Sequence, residues 1–260
     1  MKSLKKIVKI LDYLSDVKRD VGITELSLEL NLPKSTVHRI LKDLSKYSIV
    51  ERENDTSRYK IGLRMLKYSN SLLRSLDLRQ IAKPILKRVC NETKETTFLT
   101  VWRNEQGICI DSISSTRNSN THLFVEISRE MPIHCTASSK VLLANQPIED
   151  INRIISKNPL LKYTPNTITE PGKLIIDLLE IKDKGYAICN EELEEGIKAI
   201  AAPIKNIDGK AIASITITGL AKRMSSDNIE TLVKIIIDSA REISEKLGYK
   251  EENILENANW

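Results

Sequence analysis

Residues 22–47 carry two runs of helical periodicity separated by a turn of two or three residues, and that spacing limits the folds open to the chain. Gly22 breaks the preceding pattern. Thr24 can cap a short helix, ELSLEL, that reaches about Leu30, and Asn31–Leu32 makes a tight turn. Pro33 suits the first position of the next helix, where a missing N–H breaks no intrahelical bond. That helix runs to about Tyr47, with Val37, Ile40, Leu41 and Leu44 on one face and Lys34, Ser35, His38, Arg39 and Lys42 on the other. Upstream, Leu4, Ile7, Val8, Leu11 and Leu14 predict a further amphipathic helix. Downstream, IVERE and RYKIG flank the polar turn NDTS, which predicts a short hairpin. Helix, helix, turn, helix, hairpin is the order of a winged helix-turn-helix.

Charge is distributed to match. Residues 1–77 hold 16 Lys and Arg against 10 Asp and Glu, a net of +6, while the remainder is close to neutral at −1. A basic module on a near-neutral body points to a polyanion partner. In such a unit the second helix enters the major groove with its first residues nearest the bases. Ser35 and Thr36 then lie in the first turn, where backbone N–H groups also attract phosphate. His38 and Arg39 can reach base edges. Lys42 and Lys46 are expected at phosphate, Arg52, Arg58 and Lys60 on the hairpin at the backbone or minor groove, and Lys34 and Thr24 also face DNA. The plainer alternative is a solvated basic face on a three-helix domain. The hairpin and the charge excess count against it.

From Leu63 a thin helical pattern reads as a linker helix, 63–79, able to pair with a second copy. Asp77 can cap a helix carrying Leu78, Ile81, Ala82, Ile85, Leu86 and Val89, with Pro84 inside it. TTFLTVWR, GICIDSI and HLFVEI read as strands. TASSKVLLAN, capped by Thr136, PIEDINRIIS and the segment ending at Gly185 read as helices. IKAIAAPIKNIDGKAIASITITG reads as a hairpin turning at Asp208–Gly209, and a long helix follows from Ser226 to Leu247. Strands and helices mix without strict alternation, so the fold class is α+β: residues 1–62 a winged helix-turn-helix and residues 80–260 a second domain.

No uninterrupted apolar run marks a signal peptide or a membrane span, so a cytoplasmic protein is expected. Cys90, Cys109, Cys135 and Cys189 are scattered and none forms a C-x-x-C pair, so reduced, buried thiols and no metal are expected. No H-E-x-x-H, G-x-S-x-G or phosphate-cradling loop is present. His134 and Cys135 are adjacent, but neighbours in extended chain point to opposite faces, which suits structure better than nucleophilic catalysis. A pocket is the more productive reading. Ala137 and Ser138 sit at a helix N-terminus that can hold a carboxylate. Thr216 and Thr218 share a strand face, although taken alone they read as ordinary strand threonines.

Across nearly its whole length the chain resembles the IclR family of transcription regulators. The resemblance rests on GITELSLELNLPKSTVHRILKDLSKYSIVER, YKIGLRML, MPIHCTASSKVLLA and the paired blocks EEGIKAIAAPI and SITITG. It implies a winged helix-turn-helix, a linker helix and a GAF-like α/β effector-binding domain with an antiparallel sheet. It also implies homodimers or dimers of dimers on palindromic operators in double-stranded DNA. The effectors expected are small organic or aromatic acids. Carried over by position, the pocket would be lined by Ala137, Ser138, Cys189, Ala199, Thr216 and Thr218. Two positions depart from the family pattern: Ser139 stands where glycine is usual, and Cys189 where an acidic residue is frequent. The reading is a non-enzymatic, ligand-responsive regulator needing no cofactor. Repressors and activators share the layout. An enzyme or metabolite-binding module with a DNA-binding appendage, and a constitutive DNA-binding protein whose second domain only dimerises, are the alternatives.

Overall fold

The computed structural model describes residues 2–17, 19–53, 55–68, 77–115 and 125–250. Two compact units divide at Ser75/Leu76, inside the expected linker. Residues 64–68 are helical, and 69–76 of the expected linker helix lie outside the described residues.

The first unit comprises α1 (Lys2–Asp16), α2 (Ile23–Glu29), α3 (Lys34–Lys46), β1 (Val50–Arg52) and β2 (Tyr59–Ile61). Ile10, Leu14, Val21, Leu26, Val37, Ile40, Leu41, Leu44, Val50 and Tyr59 form its core, so the apolar face expected of α3 is buried residue for residue. On α1 the stripe is shifted. Leu4 and Val8 are 66% and 47% exposed, and Ile10 is buried instead, because the core reaches only the last turns of the helix. Thr24 does not cap α2. The N-cap is Gly22, and Thr24 is the second residue of the helix, exposed. Asn31 takes a left-handed φ of 50°, which closes the turn, and Pro33 is the N-cap of α3 rather than its first helical residue. The hairpin pairs Val50 with Ile61 and Arg52 with Tyr59. Val21 and Tyr59 exchange backbone bonds of 2.9 and 2.8 Å, which anchor the wing to the helices.

The second unit is a six-stranded antiparallel sheet between two helical layers. Its strands are β3 (Thr96–Arg103), β4 (Gln106–Ile113), β5 (Glu130–Met131), β6 (Ala187–Asn190), β7 (Ile197–Lys205) and β8 (Ala211–Leu220), in the order β5-β4-β3-β8-β7-β6. The helices are α4 (Asp77–Thr93), α5 (Ala137–Ala144), α6 (Ile148–Lys157), α7 (Pro171–Lys184) and α8 (Ser226–Lys246). Helices α4 and α8 cover one face, packing Leu86, Val89, Ile236 and Ile243 on Leu99, Ile200, Ile215 and Ile217. Helices α5, α6 and α7 form a second apolar cluster with Ala187, Cys189 and Ala201 on the other face. Alternation along β8 therefore sends Ile215 and Ile217 into the first cluster and Ser214, Thr216 and Thr218 toward α5.

Local chemistry explains the joints. Asn104 and Glu105, both at positive φ, form the two-residue turn between β3 and β4. The β7–β8 loop is longer than expected, spanning Asn206–Lys210 with Gly209 at φ 75°. An added Cβ at Gly219 would overlap the carboxylate of buried Glu95, which receives Arg223 through two bonds of 2.6 Å. Of HLFVEI, residues 122–124 lie outside the described residues and Val125–Ile127 is not a strand. The short strands β5 and β6 carry no sequence signal strong enough to predict them. Among the described residues no helix is long and apolar enough to cross a membrane.

Candidate functional site

The first candidate site is the outer face of α3. Lys34, Ser35, His38, Arg39 and Lys42 are all exposed along it, with Thr36 half-buried. No hydrogen bond or ion pair engages the side chains of Lys34, His38, Arg39 or Lys42 among the described residues, so their donors are free for an incoming anion. The flanking cations are more constrained. Lys46 is 3.0 Å from Asp43, which holds that carboxyl below its usual range with help from Arg39 and Lys42. Arg52 donates to Ser57 Oγ at 2.8 Å, Arg58 to the carbonyl of Asp20 at 3.2 Å, and Lys60 stands 3.6 Å from Glu53. A helix with a free basic face, beside a hairpin whose cations sit in a local network, can lie in a groove of double-stranded nucleic acid.

The second candidate site is a pocket at the N-terminus of α5, with a volume of about 410 Å³ counting the part open to solvent. Phe98 of β3, Met131 of β5, Cys135 to Ser138, Cys189 of β6 and Ala199 of β7 form its walls, and Glu192, Leu193, Glu194 and Ile197 cover it. Thr136 stands at the N-cap, but its hydroxyl donates to the carbonyl of Pro132 at 2.7 Å and makes no cap bond. The first backbone bond of the helix runs from Lys140 N–H to Thr136 at 2.9 Å. The N–H groups of Ala137, Ser138 and Ser139 thus have no intrahelical acceptor, and the helix dipole adds partial positive charge there. Ser138 is fully buried, lines the pocket, and its Oγ has no protein partner. A buried hydroxyl without a partner marks a place where a ligand or water completes the bonding.

Behind this pocket lies a buried charge cluster. The fully buried Lys140 ammonium contacts both oxygens of Glu192 at 2.9 Å and Asp177 Oδ2 at 2.8 Å. Burial alone would lower the Lys140 pKa, but the surrounding anionic groups outweigh it and hold the ammonium above its usual range. Two thiols border the same space. Cys189 donates to the carbonyl of Cys135 at 2.9 Å. Burial holds the Cys189 thiol well above its ordinary pKa and raises Cys135 to about 12, so both are neutral thiols rather than nucleophiles. His134 is buried, with Nε2 2.9 Å from the carbonyl of Leu161, and does not line the pocket. All four cysteines are buried and unpaired, and the described residues contain no cluster able to hold a metal ion.

Of the residues expected in the pocket, the structure brings Ala137, Ser138, Cys189 and Ala199 together and leaves Thr216 and Thr218 out. Thr216 pairs with Phe98 and Ala201 on adjacent strands and is completely buried, its Oγ1 unpartnered. Thr218 donates to the carbonyl of Lys198 at 3.2 Å. Ser139 is not among the residues that line the pocket. Its hydroxyl donates to the carbonyl of Met131 at 2.9 Å and lies against Gly107. Sequence reasoning passed over Lys140, Glu192 and Glu194. A signal was available, since one lysine in the otherwise apolar helix ASSKVLLA must be paired if the helix is buried.

Comparison with known proteins covers both units. The family model described as "Bacterial transcriptional regulator IclR C-terminal" matches residues 70–245, and the "IclR helix-turn-helix domain" matches residues 3–54. The HTH-type transcriptional regulator KdgR of Dickeya chrysanthemi is 32% identical over 96% of this chain and 81% of its own. XynR of Escherichia coli is 26% identical over 96% and 98%. Among solved structures, the Thermotoga maritima IclR aligns with a TM-score of 0.76 at 31% identity, covering 96% of this chain and all of that one. An IclR homologue from Microbacterium hydrocarbonoxydans, complexed with 4-hydroxybenzoate, aligns with a TM-score of 0.80 at 25% identity over 94% and 98%.

Proposed function

Because this chain belongs to the IclR family of DNA-binding transcription regulators, we propose that it binds a specific operator through α3 and that a small molecule in the α5 pocket modulates that binding. The family is a class of regulators rather than enzymes. The observation that carries the proposal is the open N-terminus of α5 with the unpartnered Ser138 hydroxyl beside it. That arrangement favours a ligand with a carboxylate or carbonyl end, and the apolar walls Phe98, Met131, Leu193 and Ile197 suit a compact carbon skeleton.

In this reading Lys34, Ser35, Thr36, His38, Arg39, Lys42 and Lys46 face DNA. Arg39 and His38 read base edges and the lysines meet phosphate, while Arg52, Arg58 and Lys60 of the wing contact the adjacent backbone and Thr24 lies alongside. The operator is palindromic and the protein a homodimer or dimer of dimers in the cytoplasm, since one unit of this size reads only a half-site. Residues 63–79 link the two functions.

The 4-hydroxybenzoate complex of the Microbacterium homologue supports a small-acid effector for this fold. A thermal-shift screen of small carboxylates, followed by operator binding with each hit, tests the reading. Stabilising acids that alter operator affinity support it, and stabilising acids that leave operator affinity unchanged contradict it.

A further inference from the structure

The charge around the pocket says more about its occupant than the helix N-terminus does. No Lys, Arg or His is among the described residues that line it, whereas Glu192 and Glu194 both do. Lys140 is already shared between two carboxylates, Glu192 and Asp177, and Glu194 adds a further negative charge to the lining. Glu191 and Glu195 flank the same covering segment, and Glu191 Oε2 is occupied by the Gly196 N–H at 2.7 Å. Each Glu192 oxygen receives one bond from Lys140, and a carboxylate oxygen has a second lone pair to offer. One end of the pocket thus lacks acceptors for α5 and for the buried, unpartnered Ser138 hydroxyl, and the other end carries excess negative charge.

A simple monoanionic acid satisfies the first end and is repelled by the second. A molecule with an acceptor pole and a positively charged donor pole satisfies both. We infer that the pocket takes a zwitterion, an amino acid whose carboxylate meets the α5 N-terminus and Ser138 while its ammonium faces Glu192 and Glu194. This rests on the ligand-responsive reading above and narrows it. Carboxylates of the same skeleton bearing hydroxyl or hydrogen in place of the ammonium bind more weakly.

Two isosteric series test the inference by calorimetric titration of the full chain: alanine, lactate and propionate, then phenylalanine, 3-phenyllactate and 3-phenylpropionate. The amino acid of at least one series is expected to bind about tenfold or more tighter than its hydroxy and unsubstituted relatives, the scale of one close charge pair. Glu194→Gln, a change at an exposed position, is expected to erase most of that preference. Equal or tighter binding of the unsubstituted acids overturns the inference, as does a preference untouched by Glu194→Gln. If none of the six binds, yet a small molecule that is not an amino acid alters operator binding, the inference falls and the ligand-responsive reading stands. If no small molecule alters operator binding, both fall.

Discussion

Lys140 and Glu192 are 52 residues apart in sequence, and their side chains meet at 2.9 Å through both carboxylate oxygens, Lys140 fully buried and Glu192 lining the pocket. The pair, with Asp177, ties α5, α7 and the segment covering the pocket into one unit. Removing the ammonium leaves two carboxylates facing each other, Glu192 nearly buried and Asp177 partly exposed. Lys140→Met is therefore expected to destabilise the second unit by about 3–5 kcal/mol, the usual scale for breaking a buried pair. Urea unfolding followed by far-UV circular dichroism measures this. A loss under about 1 kcal/mol contradicts a buried, mutually dependent cluster.

Thr216 and Ser138 both bury hydroxyls without partners, yet only Ser138 lines the pocket. Thr216→Val removes an unsatisfied buried hydroxyl with little change of shape. It should leave ligand response intact and raise stability by about 1 kcal/mol or more. Ser138→Ala should weaken ligand binding and leave the fold intact. Thermal midpoints with and without ligand separate the two, and a Thr216→Val protein that loses ligand response reverses the assignment.

On α3, Arg39 is free while Lys46 is held by Asp43. Arg39→Ala is expected to weaken specific operator binding by roughly 1–3 kcal/mol and to relax preference at one base pair. Lys46→Ala should have a smaller effect, uniform across sequences. Asp43→Asn releases Lys46 and should strengthen binding to all DNA, steepening the salt dependence by about one unit of slope. Fluorescence anisotropy at several salt concentrations resolves these, and a uniform loss for Arg39→Ala would make it a phosphate contact.

Burial raises the Cys109 and Cys135 thiols from about 9 to about 12. Below pH 9 the folded and unfolded chains are equally protonated at these groups. Above it the unfolded thiols ionise while the folded ones do not, so stability is present below pH 9 and is lost as the pH rises toward 12. Urea midpoints from pH 8 to 11 should fall steadily. Under native conditions at pH 8 all four thiols should resist a thiol reagent, and all four should react in denaturant.

Much of the first unit was legible in the sequence because short-range chemistry decides it. The spacing of Val37, Ile40, Leu41 and Leu44 gives the buried face of α3 directly, and the same spacing leaves the basic residues outside. At α1 the spacing alone was insufficient. Leu4-Val8 and Ile7-Leu11-Leu14 fit one stripe equally well on paper, and only the extent of the packing partner exposes the first pair. In the pocket, Ala137, Ser138, Cys189 and Ala199 follow from motif position. Thr216 and Thr218 were misleading because strand alternation fixes the face a side chain takes, not its distance from a cavity opened between α5 and the β6–β7 segment. The charge cluster depends on pairs 37 and 52 residues apart, Lys140 with Asp177 and with Glu192, and no local pattern encodes such a meeting.

The most direct test measures operator affinity of the full chain with and without a ligand already shown to bind it, alongside Ala199→Phe, which fills the pocket wall. Anisotropy titrations on a palindromic operator should show specific binding that the ligand shifts by about fivefold or more, the lower scale of allosteric coupling. Ala199→Phe should keep the binding and lose the shift. Identical operator affinity at saturating ligand, or an Ala199→Phe protein that responds like the original, contradicts the account.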